Sequence, residues 1–394
     1  MRRVAIATAV FALFSSAISA ASAQTTTGSQ LNPCAVPNEV GASFEEAAWQ
    51  IFVAATCPVN NDQYPFVVWE NWIEQALLYP ADPSNGLQVP NSGAPTVTHT
   101  LHNSPLTITL SQGLAVTVPG LNGAPDAACN KAAAPPPNQP NLIICEEVRL
   151  NGAAENYIAG TDLWNRTGQA QAAANGHDIQ FPRPAVETKS DWILLESIGL
   201  DCNNLPPGFT QSIHVETIHG HCFAMAGMHL MSKLIDKWIW ATFEPQNSMT
   251  NPNRCKDLGC YDPFGSRPAR SNGGNTRLSR KLEQLMDAAN LAPEWKNYRL
   301  NAVQTDYFSP KLMINSVIEG ENAGIPANQA SCVTCHNLSS VKSDGTDGIT
   351  LLRTLPTRPV GLPQPLPSSD WIPRDFVWSL SLACPNSLIQ TCAP

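Results

Sequence analysis

Residues 332–336 read Cys332-Val333-Thr334-Cys335-His336, a C-x-x-C-H pattern. Two thiols on one helical turn, followed at once by an imidazole, form the attachment site of a c-type haem. Each thiol adds to a haem vinyl group, and the histidine becomes the proximal iron ligand. A zinc site built on the same pair would need a second ligand pair at suitable spacing. The only later cysteines, Cys384 and Cys392, do not provide one. The motif predicts one covalent haem c, anchored by Cys332 and Cys335, with His336 on the iron.

The N-terminus points to the same chemistry. Met1-Arg2-Arg3 is basic, Val4 to Ala20 is mostly apolar, and Ala21-Ser22-Ala23 is an A-x-A cleavage site. This predicts an export signal over residues 1–23. Ser15, Ser16 and Ser19 interrupt the apolar run, which argues against a retained anchor. No later stretch reaches the roughly eighteen apolar residues of a membrane span. Covalent haem is attached on the exported side of a bacterial membrane, so the expected location is the periplasm or the cell exterior.

The chain has 12 cysteines. Setting aside Cys332 and Cys335 leaves an even number in an oxidising compartment. Neighbours along the chain suggest local bridges: Cys34–Cys57, Cys129–Cys145, Cys202–Cys222, Cys255–Cys260 and Cys384–Cys392. The precursor carries a net charge of −9 over 394 residues, and losing Arg2 and Arg3 takes it to −11. That balance argues against nucleic acid or an anionic membrane surface as partner. A redox partner protein or a small-molecule substrate remains.

Residues 24–33 read as a flexible tail, 34–305 as a large disulfide-rich α+β domain, and 306–394 as a haem domain. Ser43 is the expected N-cap of a helix over 43–56, with Glu46 at the capping-box position and Phe44, Ala48, Ile51, Phe52 and Ala55 on its buried face. Residues 66–78 form a further apolar segment bearing Trp69 and Trp72. Alternating Thr-rich runs at 96–101, 106–110 and 116–118 predict strands, as do 186–197, 213–217 and 238–243. The stretch 226–234 fits helix or strand. Residues 132–141, with three consecutive prolines, read as a linker. An amphipathic helix is expected over 277–289, with Leu278, Leu282, Leu285 and Met286 on one face. Helices are also expected before the haem motif, from Ser309, and near the C-terminus, from Asp375.

The last ninety or so residues resemble the class I cytochrome c fold: a helix before the motif, a haem-wrapping loop, then an aromatic-bearing terminal helix. Trp371, Phe376 and Trp378 read as haem-packing core rather than as an electron relay. The resemblance implies a methionine after the motif as sixth ligand, and here neither Met nor His follows His336. Three arrangements stay open. Met313 reaches the iron from before the motif, the large domain supplies a ligand, or the iron is five-coordinate.

A looser resemblance covers more of the chain. Blocks at 48–54, 69–72, 186–192, 227–233 and 238–244 resemble those of large exported haem proteins of the cytochrome c family. Where such proteins continue the last block with His-x-x-Asn, this chain has Pro245-Gln246-Asn247-Ser248. A ligand role at position 245 is therefore excluded.

Histidines concentrate at His214, His219, His221 and His229, with His99 and His102 earlier; they read either as a metal or haem-facing site or as locally bonded residues. Glu187, Lys189 and Asp191 share one face of a strand. Charges in an apolar segment are costly to bury unless paired. Glu187, Lys189 and His229 are thus candidate acid/base groups lining a cavity, or members of a structural ion-pair network; Lys233 and Glu244 bracket the neighbouring Trp-rich segment. No G-x-S-x-G, phosphate-binding Gly-rich loop or H-E-x-x-H motif competes.

The expected fold is α+β, a large mixed domain with antiparallel strands followed by a small, mostly helical haem segment. The expected function is a periplasmic redox reaction, with the haem as reactive centre or electron relay. The alternatives are a non-catalytic electron-transfer protein with six-coordinate haem and a haem-based gas sensor.

Overall fold

The computed structural model describes residues 32–59, 66–80, 82–87, 99–101, 106–109, 115–118, 129, 142–246, 262–267, 277–307, 315–322, 330–354 and 365–384. The leader, the 132–141 linker, His102, Cys255, Cys260, Met313 and Cys392 lie outside these residues.

Apolar and polar residues alternate through the middle of the chain, and these segments form a seven-stranded antiparallel sheet. Its strands are β1 (Ile73–Glu74), β2 (Ile144–Leu150), β3 (Val186–Leu194), β4 (Val215–Ile218), β5 (His221–Ser232), β6 (Ile239–Pro245) and β7 (Tyr298–Gln304). The order is β7-β6-β5-β3-β2-β1, with β4 paired to β5. The stretch 226–234, ambiguous in sequence, lies mostly within β5, because its alternate residues face two different buried layers. Outside this sheet, the strands expected at 106–110 and 116–118 form at Leu106–Thr109 and Ala115–Val118, and they pair with each other.

One side of the sheet packs on α1 (Phe44–Ala55). Phe52 stacks on Phe243 at 4.4 Å, and Trp49 meets Phe243 edge-on at 4.9 Å. Ser43 caps the helix by accepting from Glu46 N–H. The Glu46 carboxylate accepts from Ala42 N–H, one residue earlier than a capping box requires. Phe44, expected on the buried face, is 39% exposed, because only the later turns lie against the sheet. The helix expected over 277–289 is α4 (Arg280–Ala288), with Leu282 and Met286 buried, while Leu278, expected on its face, lies before it in a short strand paired with Ser266–Arg267.

Two short helices, α2 (Gly152–Gly160) and α3 (Arg166–Ala174), flank the other side. There the C-terminal segment joins the core: Val333, Val341, Val377 and Leu380 share one buried cluster with Met231, Trp238 and Trp240 of the sheet region. Pro33–Pro394 forms one compact unit. The segment contains the short helix Cys332–His336 and a two-stranded ladder of Ser340–Lys342 with Trp371–Pro373. The helix expected from Asp375 is absent; the chain makes a 3-10 turn at Ser379–Leu382. Asp375 and Phe376 have φ of 50° and 70°, and two consecutive left-handed residues cannot start a right-handed helix.

Cys34–Cys57, Cys129–Cys145 and Cys202–Cys222 form as expected. Cys384 is also disulfide-bonded. Among the described residues no helix is long and apolar enough to cross a membrane.

Candidate functional site

In a strand every second side chain faces the same way. On the side away from α1, that rule brings up Glu146 from β2, Glu187, Lys189 and Asp191 from β3, His229 from β5, and Thr242 and Glu244 from β6. The register makes Lys189 the direct cross-strand partner of His229, His229 that of Thr242, and Glu146 that of Asp191. The sheet thus turns a polar strip toward the C-terminal segment. Lys189 Nζ lies 2.6 Å from Glu146 Oε2. Burial works against charge on Lys189, but Glu146 and Asp191 outweigh it and raise its pKa.

Residues 315–322 cover part of this strip. Asn315 Nδ2 donates to Phe243 O at 2.9 Å and to Thr242 Oγ1 at 3.2 Å, and Ser316 Oγ donates to Glu244. Glu319 Oε1 then lies 3.1 Å from His229 Nε2. Close approach depends on Gly227, where a Cβ would lie 2.7 Å from Asn315 Oδ1.

The Cys332–His336 helix, α5, sits beside the same strip. Ser331 is its N-cap. Gln304, the last residue of β7, fixes its start: Nε2 donates to Ser331 Oγ at 3.0 Å, and Val333 N–H donates to Oε1 at 3.3 Å. Cys332 and Cys335 are half-buried, and neither is disulfide-bonded. Burial pushes both thiols up, Cys335 to about 12.

His336 packs against the Trp240 ring at 4.5 Å. Its Nδ1 lies 2.8 Å from Phe376 O. A carbonyl only accepts, so Nδ1 carries the proton and Nε2 keeps its lone pair. Burial drives the imidazole down to about 3 against the hydrogen bond to Phe376 O, and the nearby Lys189 charge adds to the effect of burial. The ring is therefore neutral. A neutral histidine with one nitrogen tied to a backbone carbonyl is the form that ligates a metal.

The acceptor is itself held in a costly conformation. Left-handed non-glycine residues cost on the order of 1–3 kcal/mol each and gather at functional sites. Asp375 is held there by Lys233 Nζ, 2.6 Å from Oδ1, and by Phe181 N–H, which donates to Oδ2 at 2.8 Å.

Glu187 faces the same side as Lys189 and His229, with a different neighbour: its Oε2 accepts from Ser379 Oγ at 2.8 Å. Burial raises its pKa to about 7, against the Ser379 hydrogen bond and the Lys189 charge. Of the clustered histidines only His229 joins this site. His214 belongs to the opposite side of the sheet, with His99, Glu70 and Glu216. His219 bonds to His99 O, and His221 lies 3.7 Å from Glu196.

Sequence reasoning missed Glu146 and Glu319. Nothing local marked either: Ile144-Cys145-Glu146-Glu147-Val148-Arg149 mixes apolar and charged residues on both faces of its strand.

No protein-family model matches this chain, and neither a curated protein nor a solved structure matches it significantly.

Proposed function

We propose that this chain is an exported monohaem c-type cytochrome that works in a periplasmic redox reaction. Cys332 and Cys335 would hold the haem covalently, and His336 Nε2 would bind its iron. The observation that carries this reading is the His336 geometry: Nδ1 donates to Phe376 O, and Nε2 is left as a neutral donor one turn from two unpaired thiols. The haem would supply one-electron chemistry and, where no sixth protein ligand binds, an open coordination position.

The chain's own residues would then handle charge and protons beside it. Lys189 keeps a fixed positive charge near His336. His229 Nε2 and Glu319 Oε1, 3.1 Å apart, would together hold or pass a proton at His229 Nε2. Glu187, raised to about 7, would be a second proton-holding group. A redox protein or a small-molecule substrate would be the partner. The same placement of His229 and Lys189 also favours a second reading, in which one of them ligates the iron and the protein only carries electrons.

The test is expression with the c-type haem maturation machinery, followed by oxidised and dithionite-reduced spectra with and without carbon monoxide. The denatured wild-type chain is expected to retain haem absorbance, and C332S/C335S to lose it. A reduced spectrum that shifts with carbon monoxide supports reaction at the iron; an indifferent low-spin spectrum supports electron carriage. Absence of covalent haem from the wild type overturns both.

A further inference from the structure

On the α1 side of the sheet a second polar cluster is buried among aromatic side chains. Its members come from distant parts of the chain. Glu70 precedes β1, His99 lies in 99–101, which belongs to no strand although one was expected over 96–101, Glu147 and Arg149 are on β2, and Glu216 is on β4. Trp192 lies edge-on to the His99 ring at 5.6 Å. One oxygen each from Glu70 and Glu216 and one nitrogen of His99 lie within 4.8 Å of one another. Glu70 and His99 are buried, and the Glu216 side chain is 20% exposed.

The imidazole of His99 is oriented from behind. Glu147 Oε2 lies 3.2 Å from Nδ1, and Glu147 is in turn held by Arg149 Nε at 2.8 Å. A carboxylate on one ring nitrogen leaves the other as the donor, which is the carboxylate–histidine arrangement found behind metal ligands. Nε2 is buried and makes no hydrogen bond. Glu216 Oε2 lies only 2.8 Å from it, but off the direction an N–H would take. Two ligands at right angles, each about 2.1 Å from one ion, lie about 3 Å apart. On the other side, His214 Nε2 lies 3.0 Å from Glu70 Oε1 and 3.1 Å from Glu216 Oε1, so it orients both carboxylates.

Charge balance agrees. Glu74 and Glu147 pair with one permanent cation, Arg149, Glu70 lies within reach of its charge, and Glu216 interacts with Glu70. A bound divalent cation would supply positive charge beside Glu70 and Glu216.

The geometry points to a divalent metal site formed by Glu70, His99 and Glu216, with Glu147 and His214 orienting the ligands. Nitrogen and carboxylate donors together suit a first-row transition ion such as Zn²⁺ or Mn²⁺. The site is separate from the Cys332–His336 helix and stands whether or not haem is bound.

The test uses untagged full-length protein, stripped with chelator and titrated with Zn²⁺ against a chromophoric competitor. Bound zinc is counted by elemental analysis, and Co²⁺ serves as an optical probe. One zinc per chain is expected, with proton release on binding. E216Q and E70Q are expected to bind at least tenfold more weakly while circular dichroism is unchanged. Unaltered affinity in both variants means that zinc binds elsewhere and overturns the assignment. If the variants fail to fold, the wild type decides: cobalt d–d bands of a low-symmetry site support the proposal, and their absence at stoichiometric cobalt overturns it.

Discussion

Lys189 and His229 stand directly opposite each other on adjacent antiparallel strands, and the Lys189 charge reaches His336 on a helix more than a hundred residues later. The pair joins the sheet to the C-x-x-C-H turn. It is also where structural and chemical roles compete, so the variants that separate them are informative.

Removing Lys189 leaves Glu146 buried without its counter-ion. K189M is expected to lower stability by on the order of 3 kcal/mol, as loss of one partner of a buried pair does. K189M/E146Q should recover most of that loss. Chemical denaturation of the single and double variants checks this. If the double variant is no more stable than K189M, the pair is not what holds the strip together.

Glu187 makes stability depend on pH. Its pKa is about 7 in the fold and about 4.3 in an unfolded chain. The folded state therefore binds the extra proton between those values. The stabilisation from this residue is complete at low pH and is lost as pH rises through about 7. E187Q imitates the protonated form and can keep the Ser379 contact. Relative to wild type it should gain roughly 2–3 kcal/mol at pH 8 and little at pH 4. Thermal melts at both pH values test the sign.

Gly227 lets Asn315 lie against the sheet. A Cβ there would meet Asn315 Oδ1 at 2.7 Å and push away the segment that carries Glu319. G227A is expected to cost about 1–3 kcal/mol. It should also disturb the His229–Glu319 pair, read as a changed His229 resonance in NMR. An unchanged resonance would show that Asn315 moves without Glu319.

The Cys202–Cys222 bridge ties a surface turn to the first strand residues of β5. C202S/C222S should lower stability by about 2–4 kcal/mol through the freer unfolded chain. The haem spectrum expected of the protein should not change, since the bridge lies away from α5. A shifted spectrum would reveal coupling along β5.

Several features were legible before any coordinates. The shared face of Glu187, Lys189 and Asp191 follows from a period of two, and the bridges Cys34–Cys57, Cys129–Cys145 and Cys202–Cys222 close short local loops. The first helix and its Ser43 cap were legible for the same reason. The expected helix at Asp375 failed because tertiary contacts hold two residues left-handed there, and local propensity carries no sign of that. Phe44 failed because helical period gives a face but not where along the helix the neighbour begins.

The sequence by itself determined the chemistry on offer: two thiols and an imidazole on one turn, and a strand with charges on one side. Only the tertiary structure decided which groups share a site. His229 and His214 lie on one stretch of chain, yet they serve opposite sides of the sheet. Glu319, Phe376 and Glu146 come from three separate segments to surround His229, His336 and Lys189. Such pairings depend on strand register, where a one-residue slip sends every side chain to the other face. The bulge opposite Asp191 and Trp192, where Ala226 is the extra residue, makes such a shift within β5 itself, and no local pattern in the sequence announces it.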